Sequence, residues 1–436
     1  PENCIIDAEQ SGRGFIFDSG HNSLDVIEGL TIRNGYFSNG TDGGGIYING
    51  ASPVFNNCII RDNEVYHYTN NSHPHGGGIW INNSSSSFTN CSILDNKTDA
   101  RVDNGGSEDA YSYGGGMFIT GSSSITIDNS FISDNWSYGY DYHHANDSRA
   151  YMRGAGIYLE GGTLTLSNSE ISNNHISGDG EERTYEGSGL YVAGGTANLT
   201  NITVANNSSA QGLYRSGGSV NVISSIIWGN SNNDSGSINY SYTNRQGSPP
   251  GGEGNITKDP WFVDSGSGDY SLKPGSVCIN RGDPVESDED GTRRDMGVYI
   301  YTDTHQGPTW YVSSAGDQLT GDGSEGNPLS SILAAVNLAN EGDEIIVAEG
   351  IYTGEGNHNI YFLGKGVMVY SSGLAENTII DCEDIDGDRG LEFEPHGSYP
   401  GETEATMIEG LTIRNGYFSN GTDGGGIYIN GASPVF

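Results

Sequence analysis

Gly43-Gly44-Gly45-Ile46-Tyr47-Ile48 returns as Gly76-Gly77-Gly78-Ile79-Trp80-Ile81, Gly114-Gly115-Gly116-Met117-Phe118-Ile119, Gly154-Ala155-Gly156-Ile157-Tyr158-Leu159 and Gly187-Ser188-Gly189-Leu190-Tyr191-Val192, and shortened as Gly212-Leu213-Tyr214. Each copy is followed by an apolar residue, an Asn two positions on and a β-branched residue three further on: Phe55, Asn57 and Ile60, then Phe88, Asn90 and Ile93, and so on to Leu199, Asn201 and Val204. A second Asn closes each unit at Asn63, Asn96, Asn135, Asn174, Asn207 and Asn230, with spacings of 33, 39, 39, 33 and 23 residues. That spread is too irregular for a helical repeat, and the composition is strand-like. It fits one turn of a solenoid whose loops take up the slack. Alternation along each short strand turns Ile46 and Ile48 inward and Tyr47 outward. Stacking like on like then gives aliphatic columns inside and a ladder of Asn side chains, and the architecture predicted from spacing is an all-β parallel β-helix.

Composition agrees. Glycine occupies 68 of 436 positions and hydrophobic residues make up only 34%, which suits a thin, elongated core rather than a broad one. With 18 Lys and Arg against 56 Asp and Glu, the formal charge of −38 disfavours phosphate backbones and anionic lipid, so neither nucleic acid nor membrane insertion is expected. Five cysteines without metal-type spacing support neither a disulfide scaffold nor a zinc module. Cys4, Cys58 and Cys91 precede matching Ile positions and are expected in one inward column. Cys58 and Cys91 would lie about 4.8 Å apart on neighbouring turns, within the Cα range of a disulfide, but stacked strands seldom aim both Cβ vectors correctly, and the reading is buried free thiols.

A longer repeat overlies the short one. Ile27 through Phe55 recurs letter for letter as Ile408 through Phe436, 29 residues in all, and Glu2-Asn3-Cys4-Ile5-Ile6-Asp7 is echoed by Glu376-Asn377-Thr378-Ile379-Ile380-Asp381. The chain therefore reads as slightly more than one period of a tandem array. The expected organisation is coils of one unit over 1–245, its closing segment over 246–301, a linker at 302–308, the N-terminal cap of the next unit over 309–350 and that unit's first coils over 351–436. Leu329, Leu333, Val336 and Ala339 have helical spacing, with Ser330 or Ser331 as N-cap and Gly342 as stop, which predicts a short amphipathic capping helix. Strands are expected at Asp343–Ala348 and Val367–Tyr370.

Trp310-Tyr311-Val312-Ser313 followed by Gly321-Asp322-Gly323, the Gly342-Asp343 turn with Ile345-Ile346-Val347, the Gly-Gly-Gly-Ile-Tyr-Ile coils and the closing Asp259-Pro260-Trp261-Phe262 together resemble bacterial right-handed parallel β-helix repeat proteins. Those are similar in fold to pectate lyases and common on large secreted or surface polypeptides. The resemblance covers nearly the whole chain and implies fold and an extracellular or cell-surface setting, while the same scaffold hosts lyases, hydrolases, adhesins and inert stalks.

Candidate chemistry is sparse. Neither the calcium-and-base constellation of the lyases nor a hydrolase carboxylate pair is recognisable. Asp141, His143, His144, Asp147, Arg149 and Arg153 cluster in the loop 136–153 and read as a solvated insertion. All insertions, at 64–75, 97–113, 136–153 and 175–186, emerge on one face. His67, His73, His75 and His175 share that face and read as solvated. Asp384, Asp386 and Asp388 alternate like the start of a Ca²⁺ loop, lacking its twelfth-position glutamate; Asp288-Glu289-Asp290-Gly291 is a weaker version. The outward column Tyr47, Trp80, Phe118, Tyr158, Tyr191, Tyr214 is the candidate interface, for sugar rings or a neighbouring filament, unless adjacent loops cover it. Sixteen Asn-x-Ser/Thr sequons include Asn39, Asn70, Asn135, Asn146, Asn198 and Asn207 as candidate glycosylation sites. The functional expectation is a non-enzymatic subunit of an extracellular filament or surface appendage, partnered by itself end to end and laterally. A carbohydrate-binding adhesin is the first alternative and a polysaccharide lyase or hydrolase the second.

Overall fold

The computed structural model describes the chain except residues 21–23, 39–41, 69–71, 103–108, 142–148, 180–181, 233, 249 and 420–423. It forms two compact units, residues 1–240 and 241–436. Residues 246–301 fall within the second of these.

In the first unit each turn follows one itinerary, seen in Ile79–Asn82, Ser87–Thr89 and Ser92–Leu94. Repetition stacks these into three parallel core sheets in register. Ile79 pairs with Ile46 and Met117, Phe88 with Phe55 and Ile127, and Ile93 with Ile60 and Ile132. The inward columns form one continuous hydrophobic core reaching from Phe17 to Tyr240. Phe55 and Phe88 stack within it at 4.8 Å with ring planes 2° apart.

The closing Asn residues build the ladder. Nδ2 of Asn63, Asn96, Asn135, Asn174 and Asn207 donates to Oδ1 of the next at 2.9, 3.0, 2.9, 2.9 and 2.9 Å. That same Oδ1 also accepts the backbone N–H of the Asn below, as Asn135 Oδ1 does from Asn96 at 3.1 Å. The second Nδ2 proton reaches back to a carbonyl, Ile60 for Asn96 and Ile93 for Asn135, both at 2.9 Å. These fully buried amides are thus satisfied.

Each position of the triple glycine is confined for its own reason. Gly43, Gly76, Gly114, Gly154 and Gly187 have φ between 60° and 67°, the left-handed region. A Cβ on the third glycine would strike the ladder, 2.7 Å from Asn63 Cγ at Gly45 and 2.8 Å from Asn96 Cγ at Gly78. At the middle position a Cβ would collide with a backbone oxygen at Gly44, Gly77 and Gly115, while the later turns carry Ala155 and Ser188 there. Other corners are left-handed as well. Asn57, Asn90, Asn129, Asn168 and Asn201 hold φ of 47–54°, so this Asn row is there for its backbone.

The insertions are a lateral layer rather than solvated loops. Tyr36–Ser38, Glu64–Tyr68, Lys97–Val102, Trp136–Asp141 and His175–Asp179 form a five-stranded parallel sheet, and Ala110–Tyr113, Arg149–Arg153 and Glu182–Glu186 a three-stranded one. Between them lies a small core of Ala100, Val102, Ala110, Ala150, Met152, Ala155, Ile176 and Ala210. Buried hydroxyls complete it: Ser137 Oγ lies 3.0 Å from Ser112 Oγ, which donates to Thr98 Oγ1 at 2.8 Å.

The second unit contains the antiparallel hairpin Phe262–Asp264 with Asp269–Leu272, followed by the sheet Thr309–Asp317, Glu344–Val347, Met368–Ser371, Met407–Glu409, and two further three-stranded parallel sheets complete its coils. The helix runs Ile332–Leu338, wholly buried, with Ser331 Oγ accepting from Ala334 N–H as N-cap. Trp310 is buried and donates its indole N–H to Asp343 Oδ2 at 2.9 Å, which accounts for both residues of the Trp310 and Gly342-Asp343 signals.

The duplicated stretches fold alike. Asp7 holds Arg33 Nε at 3.0 Å and Asn34 Nδ2 at 2.9 Å, while Asp381 holds Arg414 Nε at 2.9 Å and Asn415 Nδ2 at 2.8 Å. Phe17 meets Phe55 edge-on at 5.9 Å, and Phe393 meets Phe436 edge-on at 5.8 Å.

Candidate functional surface

The lateral layer decides the fate of the aromatic column. Its rings stack as the register demands: Tyr47 on Trp80 at 4.7 Å, Phe118 on Tyr158 at 5.0 Å, Tyr158 on Tyr191 at 5.0 Å and Tyr191 on Tyr214 at 5.2 Å, all within 12° of parallel. The expected exposed stripe is corrected, however. Trp80, Phe118, Tyr158 and Tyr191 are 9%, 3%, 6% and 3% exposed, and only Tyr47 and Tyr214 are half-buried. Tyr113 stacks on Tyr158 at 4.7 Å and His75 lies against Phe118 at 4.4 Å, because the three-stranded lateral sheet folds across the column. Burial pushes the Tyr113 and Tyr158 phenols well above their usual range.

Cations pin that cover down. Arg153 Nε donates to Glu186 at 2.7 Å, and its guanidinium lies 5.2 Å from both the Tyr151 and Tyr191 ring centres. Arg149 pairs with Glu182 at 2.7 Å. Both arginines of the predicted polar loop are therefore strand residues in structural pairs. Trp136 and Tyr68 are 45% and 39% exposed on the five-stranded sheet. Asp99, its side chain fully buried, accepts from Lys97 Nζ at 2.6 Å and from Arg101 Nε and Nη2 at 2.8 and 2.9 Å. Burial pulls the Lys97 ammonium down, but Asp99 and Glu64 outweigh it and hold it above its ordinary value.

The remaining candidates disperse. Asp386 is taken by the backbone and hydroxyl of Ser419, and Asp388 by Asn359 Nδ2 at 2.8 Å and His358 at 3.4 Å. Asp290 accepts from Thr292 and from Asp303 N–H. Among the described residues no group of three His, Cys, Asp or Glu side chains is placed to hold a metal ion, so Asp384, Asp386 and Asp388 do not converge as the Ca²⁺ reading requires. His75 Nδ1 lies 2.9 Å from Asp42, and His73 stacks on Tyr111 at 4.3 Å; His73 is held below its usual pKa by burial. His143, His144 and Asp147 lie outside the described residues, as do Asn39, Asn70 and Asn146. Asn135 and Asn207 are ladder residues, fully buried and hydrogen-bonded, and so are unavailable to a glycan; Asn198 is half-buried and accepts from Asn221 Nδ2 at 2.9 Å. All five cysteines are free; the register Ile5–Thr31–Ile59–Ser92 keeps Cys4 in one column with Cys58 and Cys91, but Cys58 and Cys91 are buried whereas Cys4 is exposed.

Stacked parallel sheets, an inward aliphatic core and a buried Asn ladder make a parallel β-helix. Residues 2–149 match the family model described as a right handed beta helix region. A solved structure of a polysaccharide lyase family 6 alginate lyase, AlyGC in mutant form, aligns over 94% of this chain and 73% of its own at 9% identity, with a TM-score of 0.18, too slight to carry an argument. No curated protein matches.

Proposed function

We propose that this chain is a non-enzymatic structural protein, a section of a tandem β-solenoid that builds an extracellular filament or surface appendage. The observation that carries the reading is the duplication. Identical sequence at 27–55 and 408–436 supplies the Arg and Asn of the same Asp-Arg-Asn clasp and one ring of the same edge-on Phe pair in both compact units. A chain that restarts its own opening coils after a hairpin and a capped helix has the grammar of a repeating rod. Burial of the aromatic column and saturation of the lateral arginines favour a mechanical over a sugar-binding use of that face. The acidic surface keeps such rods apart in solution. Among the described residues no helix is long and apolar enough to cross a membrane.

Electron microscopy of native material tests this. A continuous fibre with an axial period on the order of 60 Å, a dozen turns of about 4.8 Å, is the expected result; isolated short rods would overturn it.

A further inference from the structure

The second unit contains a cavity of about 490 Å³ lined in part by Arg281, Arg293, His305, Asn337, Lys365 and Tyr399. In a chain of net charge −38, this is a concentration of cations. Most of them are accounted for. Lys365 Nζ donates to the carbonyls of Val336, Asn337 and Ala339 at 2.8, 2.6 and 2.6 Å. Arg293 donates to the Gly282 and Arg281 carbonyls, and His305 Nε2 lies 2.9 Å from Thr309 O.

Arg281 is different. It is 5% exposed, it forms no ion pair among the described residues, and its Nε and Nη2 have no hydrogen-bond partner. The carboxylates of the lining do not serve it: Asp303 accepts from Asn280 Nδ2 at 2.7 Å and Glu341 from Gly366 N–H at 2.8 Å. A buried guanidinium without a counter-charge is costly and is ordinarily completed by an anion. The vacant atoms are also the telling pair. Nε and Nη2 form the side-on edge of the fork that grips two oxygens of a carboxylate, phosphate or sulfate at once. Tyr399, whose ring centre is 5.7 Å from the guanidinium carbon, walls the group on another side. The cavity has the size of a small-ligand site.

We propose that this cavity binds a small oxyanion, held bidentately by Arg281. The test uses the full chain, titrated with sodium acetate, sulfate, phosphate or chloride at equal ionic strength, and reads thermal unfolding and calorimetric heat. At least one oxyanion is expected to raise the melting temperature saturably above the chloride control. Acetate alone would specify a carboxylate ligand, and sulfate or phosphate alone a tetrahedral one; either supports the site. Arg281→Met is expected to abolish the saturable gain while raising the ligand-free melting temperature, because it removes a buried unpaired charge. A merely structural arginine would lower it. Arg281→Lys keeps the charge but loses the fork, and is expected to weaken binding at least tenfold; it carries the test if the Met variant does not fold. Absence of any saturable difference from chloride, or an equal gain in the Arg281 variants, would overturn the proposal.

Discussion

At the scale of single residues, the asparagine ladder ties sequence to fold. Asn135 makes four contacts inside the core: Nδ2 donates to Asn174 Oδ1 and to the Ile93 carbonyl, and Oδ1 accepts from Nδ2 and the backbone N–H of Asn96. Asn135→Ala removes these and strands the amide of Asn96, so a loss of about 2–3 kcal/mol is expected, read from the urea midpoint. Buried Asp295 supplies a pH signature. Burial raises its carboxyl to about 8 even though Asn280 and Tyr301 N–H groups hydrogen-bond it at 2.7 Å. A folded-state pKa above the unfolded one means that the native state holds the proton longer. This stabilising contribution is therefore complete below about pH 4 and is lost progressively as the pH rises to about 8. A carbon-13 titration should place the Asp295 carboxyl near 8; a midpoint below 5 would show that the two amides prevail over burial.

Among elements, the strands of the core were legible and those of the lateral layer were not. Gly-Gly-Gly-Ile-Tyr-Ile announces itself by alternation and by bulky aliphatics, and the direction of Tyr47 followed. Ala110–Tyr113 and Arg149–Arg153 bury alanines, a serine and a methionine against one another, so nothing in their hydropathy sets them apart from a polar loop. The cover over the aromatic column was invisible for that reason. The doublet before each ladder residue, as in Asp62-Asn63, Asp95-Asn96, Asp134-Asn135 and Asn173-Asn174, was a readable sign of a left-handed corner, since Asp and Asn tolerate that conformation; φ at the first member is 52–58°. Around Arg281 the sequence is mute, because the cavity draws on residues more than a hundred positions apart. The covered column makes its own prediction. Tyr158→Ala should cost about 3–5 kcal/mol as a core truncation, whereas Tyr214→Ala at the half-buried end should cost far less; equal, small effects in urea denaturation would mean that the lateral sheet does not lie over the column.

For the whole molecule, the first unit holds a complete core between Phe17 and Tyr240. Residues 1–240 produced alone are expected to keep a β-rich circular dichroism spectrum and a cooperative melt, and a disordered product would count against the division into units. Its turns are not equally joined. Between most neighbours the lateral strands add to the core sheets, as where Arg149–Arg153 runs in five-residue register with Glu182–Glu186. Among the described residues, the step from Ile5–Asp7, Phe15–Phe17 and Val26–Glu28 to the next turn has three-residue core pairings and no lateral strand pair. At the other end, the step to Leu213–Arg215, Ser219–Ile223 and Ile226–Trp228 has, besides its core sheets, the Asn ladder and the Tyr191–Tyr214 stack, a lateral bridge from His175 to Ser208 in place of a strand pair. Pulled from its two ends, such a rod loads its turn-to-turn contacts in series, and a series gives way at its thinnest link. Rupture would begin at one of these narrow end steps and peel off one turn, leaving the broader coils between them intact.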